Sequence, residues 1–131
     1  MADRRPARQR ARGLDVLRGV GRAGAAAVGY AGVPRVSVLL PCRDAGRFLD
    51  EAAASLERQT YADFEVVAVD DGSADDTADR LAAWARRDAR VRVLRTPGQG
   101  LVPALEAARA CARGELLARM DADDVAMPDR L

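Results

Sequence analysis

The chain has 131 residues, enough for one domain at most, and its net charge of +1 combines a basic head (residues 1–35: eight Arg, two Asp) with a mildly acidic body (residues 36–131: thirteen Arg, eighteen Asp and Glu). It contains no His, and every one of its 21 basic residues is Arg. This composition excludes a Ser-His or Cys-His nucleophile, a lysine Schiff base and a Walker-type phosphate loop, and it leaves Asp and Glu for acid, base and ligand roles.

The first 34 residues differ in composition from the rest of the chain, because they are rich in Arg, Ala and Gly. Arg18 and Arg22 interrupt what would be the apolar part of a signal peptide. The uncharged stretch 23–34 is too short and too weakly apolar for a transmembrane helix. We expect residues 1–34 to be a disordered or partly helical tail, with a weak contact to a membrane surface as the functional alternative.

The two cysteines, Cys42 and Cys111, fall far apart in different predicted elements. Two cysteines do not make a disulfide framework, so we interpret both as free, mostly buried thiols. Free thiols are typical of a reducing compartment. We therefore expect a cytoplasmic protein, with association at the inner face of the membrane as the alternative.

From Val36 onward, apolar runs alternate with segments of helical spacing, which predicts a domain over residues 35–131. Predicted strands cover 36–40, 64–69, 91–94 and 115–120. Predicted helices cover 47–59, the segment from the Ser73-x-x-Asp76 capping pattern to about Arg87, and 101–112. Gly114 is predicted to be the C-cap of the third helix, and Pro128 suits the first turn of another helix. This order indicates an α/β fold with a mostly parallel, Rossmann-like sheet and flanking helices.

Ligands of such sheets bind at the carboxyl ends of the strands, near the point where strand order reverses. The unusual residues of this chain all follow strands: 41–44 after the first, 70–73 after the second and 121–124 after the fourth. Carboxylates clustered at a strand end repel one another and cost solvation energy. Such a cluster is therefore expected where it serves to bind a cation or a phosphate-bearing ligand. Without His, a metal site must use oxygen ligands, which favours Mg²⁺, Mn²⁺ or Ca²⁺ over Zn²⁺.

Two of these strand-end motifs point to chemistry. Asp121 and Asp123 alternate, so on an extended segment they would share one face and could address one cation. Asp70 and Asp71 could accept hydrogen bonds from a nucleobase or from ribose hydroxyls, although Asp-Gly-Ser is also ordinary turn chemistry. Gly98-Gln99-Gly100 does not complete a dinucleotide-binding pattern, because the third glycine is replaced by Pro103.

These motifs resemble those of the family 2 glycosyltransferases of GT-A fold, over Val36 to Leu131. The resemblance rests on three segments with the family's order and spacing, 36–44, 69–73 and 114–124, together with 128–131. It implies a nucleotide-sugar donor, usually linked to UDP or GDP, and an inverting transfer. It also implies a role for each matched position: Pro41 and Asp44 at the base pocket, Asp70 and Asp71 on the base and ribose, and Asp121 and Asp123 as the D-x-D pair that contacts the ribose and a divalent Mg²⁺ or Mn²⁺ on the diphosphate.

In that family, the general base and the acceptor site follow the D-x-D loop. The resemblance therefore implies that this chain holds the donor-binding half, truncated after that loop, with the catalytic base expected beyond Leu131 and with little turnover on its own. The acceptor, whether saccharide, lipid or protein, stays open, and we expect no nucleic-acid partner. The alternative is a non-catalytic nucleotide-binding fragment, or a half-domain that acts with a partner chain. A sugar nucleotidyltransferase would need a Gly-rich phosphate loop and a Lys near the first strand, and the chain has neither.

Overall fold

A computed structural model describes residues 32–131 and the backbone of a two-residue strand, Asp15–Val16. The described elements are β1 (Asp15–Val16), β2 (Val36–Cys42), α1 (Gly46–Glu57), β3 (Phe64–Asp71), α2 (Thr77–Arg87), β4 (Val91–Thr96), α3 (Leu101–Cys111) and β5 (Leu116–Arg119). Within this part of the chain the strand order is β1-β4-β3-β2-β5, in which β4, β3, β2 and β5 are parallel and β1 is antiparallel to β4. The predicted α/β fold is confirmed. The tail prediction falls largely outside the described residues, and the β1 pairing was not predicted.

Helices cover both faces of the sheet, and strand alternation divides the core between them. Val38 and Leu40 of β2 belong to the cluster on the α1 and α2 side, which includes the buried Trp84 of α2. The residue between them, Leu39, packs into the other cluster with Ala104 and Ala108 of α3. Burial on both faces explains why the central strands read as continuous apolar runs rather than as alternating ones.

The first three predicted strands are each two residues longer in the structure, and β2 continues to Cys42. β3 continues through Asp70 and Asp71, and β4 continues to Thr96. The parallel register places Asp70 opposite Arg95 and Asp71 opposite Thr96. These polar residues extend the ladder because their side chains bond to one another across it. Hydrophobic pattern alone could not show this.

The predicted helix-capping role of Ser73 is wrong. Helix α2 begins at Thr77, and its N-cap residue, Asp76, makes no side-chain capping bond. The Ser73 hydroxyl oxygen instead accepts a hydrogen bond from the Asp44 N–H (3.0 Å). Ser73 thus joins the loop after β3 to the loop after β2. The helix predicted from Pro128 is not formed by residues 128–131, where the Arg130 N–H closes a turn onto the Met127 carbonyl (3.1 Å).

Gly114 is needed for close packing rather than for helix capping, so its predicted C-cap role is wrong. Helix α3 ends at Cys111, and the residue after it, Ala112, has an extended backbone. A Cβ atom on Gly114 would lie 2.7 Å from the backbone nitrogen of Ser37, closer than packed atoms approach. The Gly114 N–H also donates to the Ser37 hydroxyl (2.8 Å). Glycine here lets the α3–β5 connection lie against β2.

A buried glutamate holds the same connection in place. Glu65 of β3 is 1% exposed, and its carboxylate accepts hydrogen bonds from the Ser37 hydroxyl (2.7 Å), from the Arg113 backbone N–H (2.7 Å) and from the Arg113 guanidinium (2.9 Å). Burial raises the pKa of Glu65, but these hydrogen bonds outweigh it and the pKa lies below its usual value. Because β5 begins three residues after Arg113, this network aligns β5 with β2 and so positions the loop after β5.

Both cysteines are free, as predicted. Cys42, at the end of β2, is buried, and burial together with the neighbouring charge of Asp70 raises the pKa of its thiol to about 12. A thiol with this pKa stays protonated at neutral pH and is a poor nucleophile. Cys111 is half-buried. Among the described residues, no helix is long and apolar enough to cross a bilayer.

Candidate functional site

A cleft lies where the strand order reverses. The chain passes from β2 to β3 to β4 in one direction and then places β5 on the other side of β2. At the carboxyl ends of β2 and β5 the structure opens a cleft of about 270 Å³, lined by Pro41, Arg43, Asp44, Ala45, Phe48, Leu101, Arg119, Asp121, Ala122 and Asp123. Such switch points are where open α/β sheets bind ligands. We call this space the switch-point cleft.

A second cavity, of about 190 Å³, lies on the α3 side of the same strand end. It is lined by Pro41, Cys42, Arg43, Asp71, Gly100, Leu101 and Ala104. Three residues, Pro41, Arg43 and Leu101, line both spaces, so the two are adjacent. The polar site proposed from the sequence therefore has two compartments, one at β5 and one at α3.

The structure brings together most of the residues that the sequence motifs singled out. Pro41, Asp44, Asp121 and Asp123 line the switch-point cleft, and Asp71 lines the second cavity. Asp70 lines neither, because its side chain is completely buried. Their assignment to base, ribose and metal stays a prediction.

The D-x-D segment is a turn, so the predicted extended geometry is wrong. The Asp124 N–H donates to the Asp121 carbonyl oxygen (3.1 Å), and residues 122–123 form the turn. Ala122 is buried between the two acidic residues and anchors the turn to the core. Both carboxylates still line the cleft, with Asp123 exposed and Asp121 half-buried. Within residues 32–131, no other side chain bonds to the Asp123 carboxylate.

Asp44 fastens the loop after β2 to the loop after β3. Its backbone is left-handed (φ +48°), a conformation that Asp tolerates better than most residues but still at some cost. Its N–H donates to the Ser73 hydroxyl, and its carboxylate accepts from the Ala74 N–H (2.7 Å). Beside it, the N–H of Ala45 donates to the Thr77 hydroxyl (2.9 Å). These bonds fix this wall of the cleft before any ligand enters.

The Asp70 carboxylate is paired with an arginine that lies outside the cleft lining. One oxygen of its buried carboxylate accepts the Ser73 N–H (3.1 Å), and the other accepts from the Arg95 guanidinium Nε (2.9 Å). Arg95 itself is half exposed. The buried carboxylate of Asp70 thus stabilises the turn that follows β3. A direct contact between Asp70 and a nucleotide stays a prediction.

Asp71 organises the loop that precedes α3. It is 3% exposed, and its carboxylate accepts hydrogen bonds from the Thr96 hydroxyl (2.6 Å), the Gln99 N–H (2.9 Å) and the Gly100 N–H (2.7 Å). Burial raises the pKa of Asp71, but these bonds outweigh it and the pKa lies below its usual value. The carboxylate thus stays ionised and holds a loop whose glycines, Gly98 and Gly100, have positive φ angles.

Two arginines that lie within the sequence motifs, but to which no role was assigned, also line the cleft. Arg119 forms a two-point contact with Asp121, from Nε to Oδ1 (3.0 Å) and from Nη2 to Oδ2 (3.4 Å). Arg43 lies with Nη1 3.9 Å from Oδ2 of Asp71. Each arginine lies within two residues of a predicted site carboxylate. Opposite charge next to a strand-end Asp is the signal that could have found them.

The charge of the switch-point cleft suits a small, hard cation together with an anion. Its charged lining comprises two arginines and three aspartates. Within residues 32–131, no group of three or more His, Cys, Asp or Glu side chains is arranged to hold a metal by itself. Mg²⁺ characteristically uses only one or two protein carboxylates and completes its shell with water and substrate phosphates. Asp121 and Asp123 fit that mode of binding.

Solved structures of glycosyltransferases share this fold. The mannosyltransferase PcManGT from Pyrobaculum calidifontis, in complex with GDP-Man and Mn²⁺, superposes with a TM-score of 0.68 and 28% identity, over 76% of this chain and 30% of that one. S. aureus TarS in complex with UDP superposes with a TM-score of 0.67 and 27% identity, over 72% of this chain and 29% of that one. The GT-A fold predicted from the resemblance is confirmed.

The sequence comparisons agree with the structural ones. A glycosyltransferase of Haemophilus influenzae is 34% identical over 96 residues, which are 72% of this chain and 30% of the relative. The chain thus spans less than a third of the length of that relative. The model of glycosyl transferase family 2 matches residues 37–131, which include the whole switch-point cleft. The chain belongs to glycosyl transferase family 2.

Proposed function

We propose that this chain binds a UDP- or GDP-linked sugar and serves a glycosyltransferase that transfers the sugar with inversion, assisted by Mg²⁺ or Mn²⁺. The observation that carries the proposal is the switch-point cleft, where Asp121 and Asp123 face the wall formed by Pro41 and Asp44. Support comes from two structural neighbours, one in complex with UDP and the other in complex with GDP-Man and Mn²⁺.

In this proposal the two cavities divide the donor between them. The diphosphate lies in the switch-point cleft, where Asp121 and Asp123 hold the cation. The nucleoside lies along Pro41 toward the second cavity, where the loop fixed by Asp71 forms one side. A divalent cation, when bound, offsets the negative charge that develops on the leaving diphosphate. Asp70 acts from beneath, by keeping the β3 turn in shape.

The cleft residues leave the general base unassigned. An inverting transfer needs a group that takes the proton of the acceptor hydroxyl. Asp44 is bonded to the loop after β3, and Asp121 and Asp123 are assigned to the cation. The general base therefore stays a prediction drawn from the family resemblance. A cytoplasmic location and a contact of residues 1–34 with a membrane surface likewise stay predictions.

The proposal is tested by calorimetric titration of the protein with UDP and with GDP, each with and without Mn²⁺. We expect one nucleotide to bind more tightly with Mn²⁺, and Asp123→Asn to remove the Mn²⁺-dependent part. Asp124→Asn is the matched control, because it makes the same change of charge one residue outside the cleft lining. Circular dichroism establishes that each variant is folded. Absence of binding to both nucleotides by the folded wild-type protein would refute the proposed donor site.

A further inference from the structure

Arg119 occupies a distinctive place in the switch-point cleft. It is the last residue of β5, and its backbone carbonyl is held by the Arg130 guanidinium (2.6 Å). Its side chain is about half exposed (51%) and forks onto Asp121, which is exposed to a similar extent. The backbone is therefore fixed while the guanidinium remains at the cleft surface, free to exchange partners.

The partner of Arg119 is the same carboxylate that we assign to the cation. A guanidinium bound at two points covers the oxygens of Asp121 that a divalent cation would use. The Arg119 guanidinium and a divalent cation therefore compete for the same oxygens of Asp121. The pair is exposed, so it is weak enough to open at little cost.

We propose that Arg119 is a positioning residue that holds Asp121 in the empty cleft, yields it to the divalent cation, and turns to the donor diphosphate. This inference rests on the proposed function. The planar fork of Arg matches phosphate oxygens as well as carboxylate oxygens, so a diphosphate entering the cleft offers it an equivalent partner. The exchange keeps the cleft charges paired at each stage, with Asp121 on a cation and Arg119 on an anion.

The charge of the lining supports this exchange. With two arginines and three aspartates, the empty cleft carries one net negative charge, and a divalent cation reverses its sign. The reversed cleft attracts a diphosphate. Without Arg119 the lining would carry two net negative charges, so it would attract the cation more strongly and the diphosphate less. Removal of Arg119 should therefore move the two affinities in opposite directions.

Arg119→Gln tests this with two separate ligands. Mn²⁺ alone is titrated by electron paramagnetic resonance, and UDP and pyrophosphate are each titrated by calorimetry into protein saturated with Mn²⁺. Because an exposed ion pair and one nearby charge are lost, we expect Mn²⁺ to bind about threefold to tenfold more tightly. We expect UDP and pyrophosphate to bind about fivefold or more weakly, because a forked charge-assisted contact is lost. Arg109→Gln is the matched control, since Arg109 pairs with Glu106 on the exposed surface of α3 outside the cleft.

Arg119→Lys separates the two roles, and it also serves if the Gln variant fails to fold. It keeps the charge but not the fork, so we expect nearly wild-type Mn²⁺ affinity with weakened UDP binding. An Arg119→Gln protein that binds Mn²⁺ no more tightly than wild type, or UDP as tightly as wild type, overturns the proposal. A wild-type protein that binds neither Mn²⁺ nor UDP refutes the donor site itself. If the wild-type protein binds both ligands and Arg119→Gln binds them with the same affinities, only the role of Arg119 is refuted.

Discussion

Asp71→Asn is the substitution that most directly tests how the rim of the site is built. The carboxylate of Asp71 is almost completely buried and accepts bonds from Thr96, Gln99 and Gly100. Asn has the same shape but only one acceptor oxygen, and its amide N–H₂ must face one of these donors. With the amide oxygen toward Thr96 and Gln99, the Gly100 N–H meets a second donor and is left unsatisfied.

The expected loss follows from the number and kind of these bonds. A hydrogen bond to a charged group contributes about 1.5 kcal/mol or more, roughly twice the contribution of a neutral one. Two bonds weakened to neutral strength and one bond lost should lower the free energy of unfolding by about 3 kcal/mol at pH 7. Because Gly100 immediately precedes α3, the loop should also loosen, and UDP or GDP binding should weaken even if Asp71 never contacts the nucleotide.

The pH dependence provides a second, independent test. The pKa of Asp71 lies below its usual value in the folded protein, so the folded state binds fewer protons than the unfolded state on the acid side. Its contribution is fully present above the unfolded pKa, near 4, and is lost as the pH falls through the folded value. The stability gap between wild type and Asp71→Asn should therefore be constant near neutrality and should narrow below about pH 4.

Urea denaturation at a series of pH values measures both effects. Asp63→Asn is the matched control, because Asp63 is an exposed residue and the same change of charge there should alter stability by less than about 0.5 kcal/mol. An Asp71→Asn protein within about 0.5 kcal/mol of wild type at pH 7 would refute the reasoning. A gap that widens on acidification would contradict the assigned direction of the pKa.

Three further predictions concern the scaffold. Gly114→Ala should lower the free energy of unfolding by about 2 kcal/mol or more, because a methyl group there meets the β2 backbone. Gly32→Ala should not, because no atom of the described residues lies within 4 Å of a Cβ placed there. Equal urea midpoints for the two variants would contradict the close approach at Gly114. Arg95→Met should lower the free energy of unfolding by about 2 kcal/mol, because buried Asp70 loses the guanidinium that pairs with it; this figure is discounted for the exposure of Arg95. The double variant Arg95→Met with Asp70→Asn should recover part of that loss in the same urea assay. Leu117 is 49% exposed on β5, the edge strand of the described sheet. Leu117→Glu should reduce self-association, measured by sedimentation velocity, without shifting the thermal midpoint. An unchanged distribution of sedimentation coefficients would contradict self-association through this edge.

The fold could be predicted from the sequence because local patterns and chain connectivity agree. The apolar runs of β2 and β3 are buried on both faces, and the segments between strands are long enough for helical crossovers. The same rule, that parallel strands end at one edge, predicted that Asp44, Asp121 and Asp123 would meet there. Their place in one cleft is the structural counterpart of that prediction.

The missed features depend on contacts between residues far apart in the chain. Gly114 resembles a helix cap in a local window, but its function is to approach Ser37, 77 positions earlier. Glu65 interrupts an apolar run, and only the pairing of β2 with β3 and the path of the connection before β5 show that Ser37 and Arg113 satisfy its charge. Local sequence rules describe turns and caps. They do not describe which polar groups meet across a sheet.

The strand-end carboxylates divide into two groups that the sequence could not separate. Asp70 and Asp71 are the last two residues of β3, and their oxygens are bonded to protein donors, so the fold itself accounts for them. Asp121 and Asp123 follow β5 on the cleft surface, where the first pairs with Arg119 and the second bonds to no other side chain within residues 32–131. A carboxylate that no other described side chain contacts is the one that a ligand is best placed to use. For this reason Asp123 gives the sharper test of donor binding, whereas a loss of binding in an Asp70 or Asp71 variant would also follow from a disturbed loop.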